Sequence, residues 1–334
     1  ADAEDEFRVA GYARVYRFRT LPRTLARPVR FPLGGDTRPR QDWMERTGRQ
    51  AAAWDPDFVV FGGDLAYADG NPRHVRRWYE WFEAVRNSLV TPDGRTIPVL
   101  VAIGNHEVRG GYVERVRAYR QGAATPAPVA PLSLGPFAMA GHPGSAALDA
   151  GDYLSLILLD TGHANPIDGE QTEWLAAALA ARRHVPHAFP VYHIPAFPSG
   201  RDYDNARSRR VREHWVSLFE RHGVAVAFEN HDHVYKRTHP VRSGTVAADG
   251  IIYFGDGAWG VRTRRVRRVR GGDPPWYIAR AASVRHFVLA EIDADGRRFV
   301  AVDETGRVFD ELPAGAAARM RASPDAASAT GRLH

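Results

Sequence analysis

Five times along this chain, an apolar run of the kind that forms a buried strand stops at a residue able to ligate a metal. The stops are Asp36 in LGGDTR, Asp64 with Tyr67 in FGGDLAY, Asn105 with His106 in IGNHE, His193 in VYHIP, and His231 with His233 in NHDHVY. One such ending says little, because Gly-Asp is a common turn sequence. Five in order constrain the fold. Strands running parallel in one sheet present their carboxyl ends at one edge, and ligands of open α/β sheets bind there.

The intervening segments supply the helices that such a sheet needs. QDWMERTGRQAAAW and RHVRRWYEWFEAVRNSL read as helices, and in the second Val75, Trp78, Tyr79, Phe82, Val85 and Leu89 recur at helical spacing as a predicted core-facing stripe. PVRFPLGG is a strand, and DFVVFGG, IPVLVAI and DYLSLILLD are continuous apolar runs of strands covered on both faces. GEQTEWLAAALAARR and SRRVREHWVSLFERH are further helices, with FPVYH and VAVAF as strands. GIIYFGDG, RHFVLAEID, RRFVAVD and GRVFDEL close the domain, the last three as an antiparallel meander. The stretch 121–141, rich in Ala and Pro, reads as loop. The alternation predicts an α/β sandwich with largely parallel central strands over residues 28–312. Residues 1–27 hold one half-buried strand in YARVYRFRTLP and a linker, and residues 313–334 form a tail predicted to be disordered.

Composition narrows the chemistry. The chain has no cysteine, which excludes disulfides, thiolate zinc sites and cysteine nucleophiles. No apolar run approaches the roughly 18 residues of a membrane span, and the acidic start ADAEDEF shows no signal peptide. The net charge of +6 is carried almost wholly by arginine, Lys236 being the single lysine. The densest basic run, Arg262–Gly272, reads as a solvated loop, because no aromatic interleaving or nucleic-acid motif accompanies it.

Hard oxygens mixed with imidazoles suit metals that activate water. NHDH puts two imidazoles on one side of an extended backbone. Two carboxylates, a phenol, an amide and three histidines are enough donors for two ions, with His106 left over as a free acid.

These motifs resemble those of the calcineurin-like metallophosphoesterases, and more closely the purple acid phosphatases. That family's blocks read GDxG, GDxxY, GNHE, VxxH and GHxH; here they read GDTR, GDLAY, GNHE, VYHI and NHDH. The likeness runs from about Pro28 to Leu312 and is closest in DPDFVVFGGDLAYADG and ENHDHVYKR. YRFRTLP resembles the last strand of the fibronectin-like domain that precedes the catalytic domain in larger members, so residues 1–27 are read as its tail.

The resemblance implies a metallophosphoesterase-type α/β sandwich of two mixed sheets flanked by helices. It implies that Asp36, Tyr67 and His233 hold an Fe(III), and that Asn105, His193 and His231 hold a divalent Fe, Zn or Mn. Asp64 would bridge the two ions, and His106 would face the substrate phosphate as the catalytic acid. The implied activity is hydrolysis of small phosphate monoesters by a metal-activated hydroxide, with an acidic optimum and an extracytoplasmic location. The alternatives are a phosphodiesterase or nucleotide hydrolase on the same site, and a non-catalytic metal- or phosphate-binding module.

Three departures from the family's pattern bear on the site. Arg38 stands where glycine is usual and is a candidate phosphate contact. Asn230 replaces glycine in the last block. The loop PAFPSGRDYDNARSRR after His193 lacks histidine and offers Arg201 and Tyr203 instead. His74, His142, His163, His187, His222 and His239 are read as surface or packing residues, and His286 and Asp160 as structural.

Overall fold

The computed structural model describes residues 2–38, 40–108, 144–269 and 271–322. The predicted loop 121–141 and His142 lie outside the described residues, as does the end of the tail.

In β3 (Val29–Gly34), Val29, Phe31 and Leu33 point into an apolar layer shared by two sheets. This strand pairs in parallel with β4 (Val59–Phe61), which pairs in parallel with β5 (Val99–Val101). Before them, β1 (Glu4–Arg8) and β2 (Val15–Arg19) form an antiparallel hairpin, so the strand read in YARVYRFRTLP has a partner. The chain then builds a second sheet from β6 (Ala146–Ala150), β7 (Leu154–Leu159), β8 (His187–Tyr192), β9 (Val226–Glu229), β10 (Tyr235–Thr238), β13 (Ile252–Gly255) and β14 (Ile278–Ala282). A two-residue ribbon, β11 (Val241–Arg242) with β12 (Thr245–Val246), interrupts it. Finally β15 (His286–Asp293), β16 (Gly296–Asp303) and β17 (Val308–Leu312) return to the first sheet as the predicted meander, β15 lying antiparallel to β3.

Both sheets are mixed, with strand orders β17-β16-β15-β3-β4-β5 and β14-β10-β13-β9-β8-β7-β6. Their facing sides bury Phe31, Leu156, Phe189, Phe228, Val288 and Phe299 in one cluster. The outer faces are covered by helices, giving an α-β-β-α stack. On one outer face α1 (Gln41–Ala52) and α2 (Val75–Ser88) bury Met44, Trp78 and Trp81 against Phe61, Leu289 and Val300. On the other, α3 (Glu170–Ala181) packs beside α4 (Ala206–Val211), which runs through a π-helical turn, Arg212–Val216, into α5 (Ser217–Arg221). There Leu175, Trp215 and Phe219 meet Ile157, Leu159 and Tyr192. The alternate residues of β7 thus serve both layers, which is why LSLILL carries so little polarity. No helix among the described residues is long and apolar enough to cross a membrane.

Two expectations need correction. The buried stripe of α2 is Trp78, Trp81, Ala84 and Ser88. Val75, Tyr79 and Phe82 are 38%, 68% and 41% exposed. The tail is ordered in its first part: α6 (Ala316–Ala322) buries Ala316, Ala317 and Met320, and the Arg30 guanidinium donates to the Met320 carbonyl at 2.6 Å.

Candidate metal centre

Each ligand motif follows the carboxyl end of a parallel strand: Asp36 after β3, Asp64 after β4, Asn105 after β5, His193 after β8 and His231 after β9. The expectation of a single sheet edge is corrected to two edges. Three motifs come from one sheet and two from the other, and face-to-face packing brings them together.

Asp64, His193 and His231 offer ligand atoms that all lie within 4.8 Å of one another. His193 Nε2 is 3.1 Å from Asp64 Oδ2, 3.2 Å from Asn105 Oδ1 and 3.0 Å from His231 Nδ1. A second group sits around Asp36, where Oδ1 lies 2.9 Å from His233 Nε2 and accepts from the Tyr67 hydroxyl at 3.2 Å. The other Asp36 oxygen accepts the backbone N–H of His231 at 2.9 Å and so ties the two groups together. A Cβ on Gly257 would lie 1.8 Å from that oxygen, so only glycine leaves Asp36 its place.

The backbone is bent to make this cluster. Asp36, Asp64, Tyr67, His231 and His233 all have φ between 54° and 80°. Non-glycine residues seldom adopt that left-handed region, at a cost of order 1–3 kcal/mol each. Five of the seven predicted ligands share this strain, and the surrounding packing sustains it.

Charges inside the cluster are strongly coupled. Burial alone would raise the Asp64 carboxyl, but the charge and hydrogen bond of His193 outweigh it and hold Asp64 far below the carboxylate range. Burial would lower His193, yet Asp64 carries it up to about 9. Burial and then the charge of His193 push His231 well below its ordinary value, so its imidazole is neutral, the form a metal would need. Burial, helped by Asp36 and Asp64, raises the Tyr67 phenol well above its ordinary value. Buried oxygens and imidazoles of this kind, drawn together by cationic protons, fit divalent or trivalent ions, which displace such protons on binding.

Supports behind the donors were not read from sequence. Glu107 is buried and accepts the backbone N–H groups of Asp64, Leu65 and Gly104 at 2.8, 2.7 and 2.7 Å. Burial, with the Asp64 charge, pushes it up to about 7. His193 Nδ1 donates to the Gly62 carbonyl and His233 Nδ1 to the Arg262 carbonyl, at 2.8 and 3.2 Å, which leaves each Nε2 facing inward. The basic run thus begins as a prop for His233, and Arg267 pairs with Asp202 at 2.7 Å. Asp232, inside the NHDH motif, accepts the backbone N–H groups of Ser199, Gly200 and Arg201 and anchors the loop after His193. Asn230, the departure from glycine, donates to the Tyr192 carbonyl at 3.0 Å and occupies the space over Gly62. His163, read as a surface or packing residue, is buried, with its ring 5.5 Å from that of His193.

The predicted substrate contacts separate. His106 borders the cluster, its Nε2 3.9 Å from Asp64 Oδ2 and its ring 4.1 Å from that of Tyr67. Arg38 lies in a cavity with His106 and is paired with Glu80. Arg201 is half exposed, with Nε 3.1 Å from Asp232 Oδ1 but out of line for a hydrogen bond. Tyr203 packs within the loop and its neighbours. It lies under the Arg212 guanidinium, 3.6 Å from ring centre to carbon, and packs on Phe197 and Tyr277.

A sequence profile described as calcineurin-like phosphoesterase matches residues 35–235. Purple acid phosphatase 21 of Arabidopsis thaliana is 26% identical over 86% of this chain, and an uncharacterised protein of Mycobacterium tuberculosis is 30% identical over 58%. The chain spans 62% of the first relative's length and 37% of the second's. Among solved structures, a purple acid phosphatase from yellow lupin seeds shares the fold with a TM-score of 0.68 at 18% identity, over 89% of this chain and 56% of its own.

Proposed function

The chain belongs to the calcineurin-like phosphoesterase family, and from that premise we propose that it hydrolyses phosphate monoesters at the cluster around Asp64. The observation that carries the reading is the pairing of two donor groups, Asp36–Tyr67–His233 and Asn105–His193–His231, with Asp64 against the second. In this reading the first group holds an Fe(III), the second a divalent Fe, Zn or Mn, and Asp64 serves both. Tyr67 favours the ferric assignment, because a phenol oxygen is a hard donor that suits a trivalent ion. When bound, such ions neutralise phosphate charge and lower the pKa of water.

His106 supplies the proton chemistry. An ionised Asp69 can only accept, so His106 Nδ1 donates to it and Nε2 is the nitrogen aimed at the substrate. In its protonated form His106 delivers a proton to the leaving oxygen. Arg38, which lines the cavity, and Arg201, near His231, are the candidate phosphate contacts, and Tyr203 takes no part. The likeness to purple acid phosphatases also carries the proposal of an extracytoplasmic site of action, which cell fractionation tests.

The deciding experiment is steady-state hydrolysis of p-nitrophenyl phosphate against bis-p-nitrophenyl phosphate by metal-loaded protein at mildly acidic pH, with Asn105→Ala alongside. Faster monoester turnover, lost in Asn105→Ala, supports the reading. Faster diester turnover moves the function to phosphodiester or nucleotide cleavage. Turnover that survives Asn105→Ala sinks the site, and an optimum above about pH 8 sinks the ferric assignment.

A further inference from the structure

A cavity of about 530 Å³ opens against Tyr67 and His106. Four arginines also line it: Arg38 from the loop after β3, Arg73 from the short turn Pro72–His74, and Arg76 and Arg77 from the first turn of α2. Two carboxylates face them. Glu80 pairs with Arg38 and lies 3.0 Å from Arg76, and Asp69 lies 3.0 Å from Arg77. Among the described residues that line it, four guanidinium groups against two carboxylates leave a formal excess of two positive charges, before His74 and His106 are counted. Arg73 makes no ion pair among the described residues, and Arg76 is 88% exposed despite its contact with Glu80.

A simple neutral leaving group makes no use of this wall. A second phosphate does, because guanidinium forks match phosphate oxygens two at a time and a concave cationic wall concentrates anions. His106 borders both the donor cluster and the cavity that the arginines line, so a group departing past His106 has the cavity beside it. We infer that the cavity is a second phosphate subsite on the leaving-group side, and that the preferred substrates carry a second phosphoryl group there, as organic diphosphates do. This rests on the phosphoesterase reading above. For ADP, the water oxygen forms a new bond to the terminal phosphorus and the bridging P–O bond breaks. The electron pair leaves with AMP, and one water proton passes to the departing oxygen or to solvent, giving AMP and inorganic phosphate.

The test compares ADP with AMP, whose leaving group is a neutral nucleoside, in the metal-loaded wild type and in the double variant Arg73→Gln/Arg76→Gln. Both side chains are exposed, so the variant is expected to fold. The wild type should favour ADP over AMP in kcat/KM by about tenfold or more, equivalent to about 1.4 kcal/mol, and the variant should lose most of that ratio. Equal use of the two nucleotides by the wild type, or a ratio untouched by the substitutions, overturns the subsite. If no phosphate ester is turned over at all, the hydrolase reading fails by itself, and calorimetry still decides the subsite. Tighter binding of ADP than of AMP, lost in the double variant, upholds it, and equal binding refutes it.

Discussion

His106 Nδ1 lies 2.5 Å from Asp69 Oδ1, and the backbone N–H of Asp69 returns a hydrogen bond to the His106 carbonyl at 2.9 Å. This reciprocal pair joins the loop after β4 to the turn after β5 and fixes which imidazole nitrogen faces the centre. Asp69 is therefore a positioning residue for His106. Asp69→Asn should lower kcat by about 10- to 100-fold with KM little changed, while metal content stays at the wild-type level. Unchanged kcat, or loss of metal together with activity, would show that Asp69 acts otherwise.

Gly62 and Asn230 are steric complements. A Cβ on Gly62 would stand 1.7 Å from Asn230 Nδ2. Gly62→Ala should therefore destabilise the protein by about 1–3 kcal/mol, as overpacking does in a dense core. Asn230→Gly should relieve much of that cost in the double variant, giving a favourable coupling of about 1 kcal/mol or more in urea unfolding. Additive effects would mean that the two positions do not meet as described.

The candidate donor motifs were legible because each comes soon after an apolar strand, so local sequence alone puts it near a carboxyl edge. Asp69 was not, since its role depends on the Asn105–Glu107 turn folding over it from another strand. The two sheets were not separable by pattern either, because strands buried on both faces read alike whichever sheet they join. In α2, reading Tyr79 and Phe82 as core turned the stripe by about one residue, or roughly 100°. The buried face is set by Trp81, whose indole N–H donates to Thr37 Oγ1 at 2.8 Å, a contact between distant segments. The tail was misread from its Ala and Arg content, because alanines dock a helix as well as they fill a disordered chain once Met320 has a slot. Arg30 lies 290 residues away in sequence and still holds that slot's carbonyl.

Lys236 is the single lysine of an arginine-rich chain, and it is fully buried. Its ammonium meets Glu229, the Phe197 carbonyl and, at 3.2 Å, Asp256. Three acceptors converging on a point suit a compact ammonium and not a planar guanidinium. Lys236→Met leaves buried carboxylates without their cation and should cost about 3–5 kcal/mol. Lys236→Arg should fail to restore it. A loss below about 1 kcal/mol in denaturant unfolding would mean that the acids are neutral without the lysine.

His286 sets an acid limit on stability. Burial holds its imidazole down to about 4, although the Val284 carbonyl accepts its Nδ1–H at 3.0 Å. The unfolded chain binds this proton near the ordinary value of about 6.5. Above that pH both states are neutral and the stabilisation is complete. As pH falls from 6.5 towards 4, the unfolded state gains a proton that the folded state refuses, so stability declines. Below 4 both states are charged and the term stops growing. The full loss is on the order of 3 kcal/mol. His187, also held at about 4 by burial and then by Arg297, acts in the same direction. Melting temperatures at pH 7 and pH 4.5 should therefore diverge more for the wild type than for His286→Gln. Parallel pH dependence in the two proteins would remove His286 as the cause. An enzyme with an acidic optimum would work inside this window, so the fall in stability should cap its activity on the acid side.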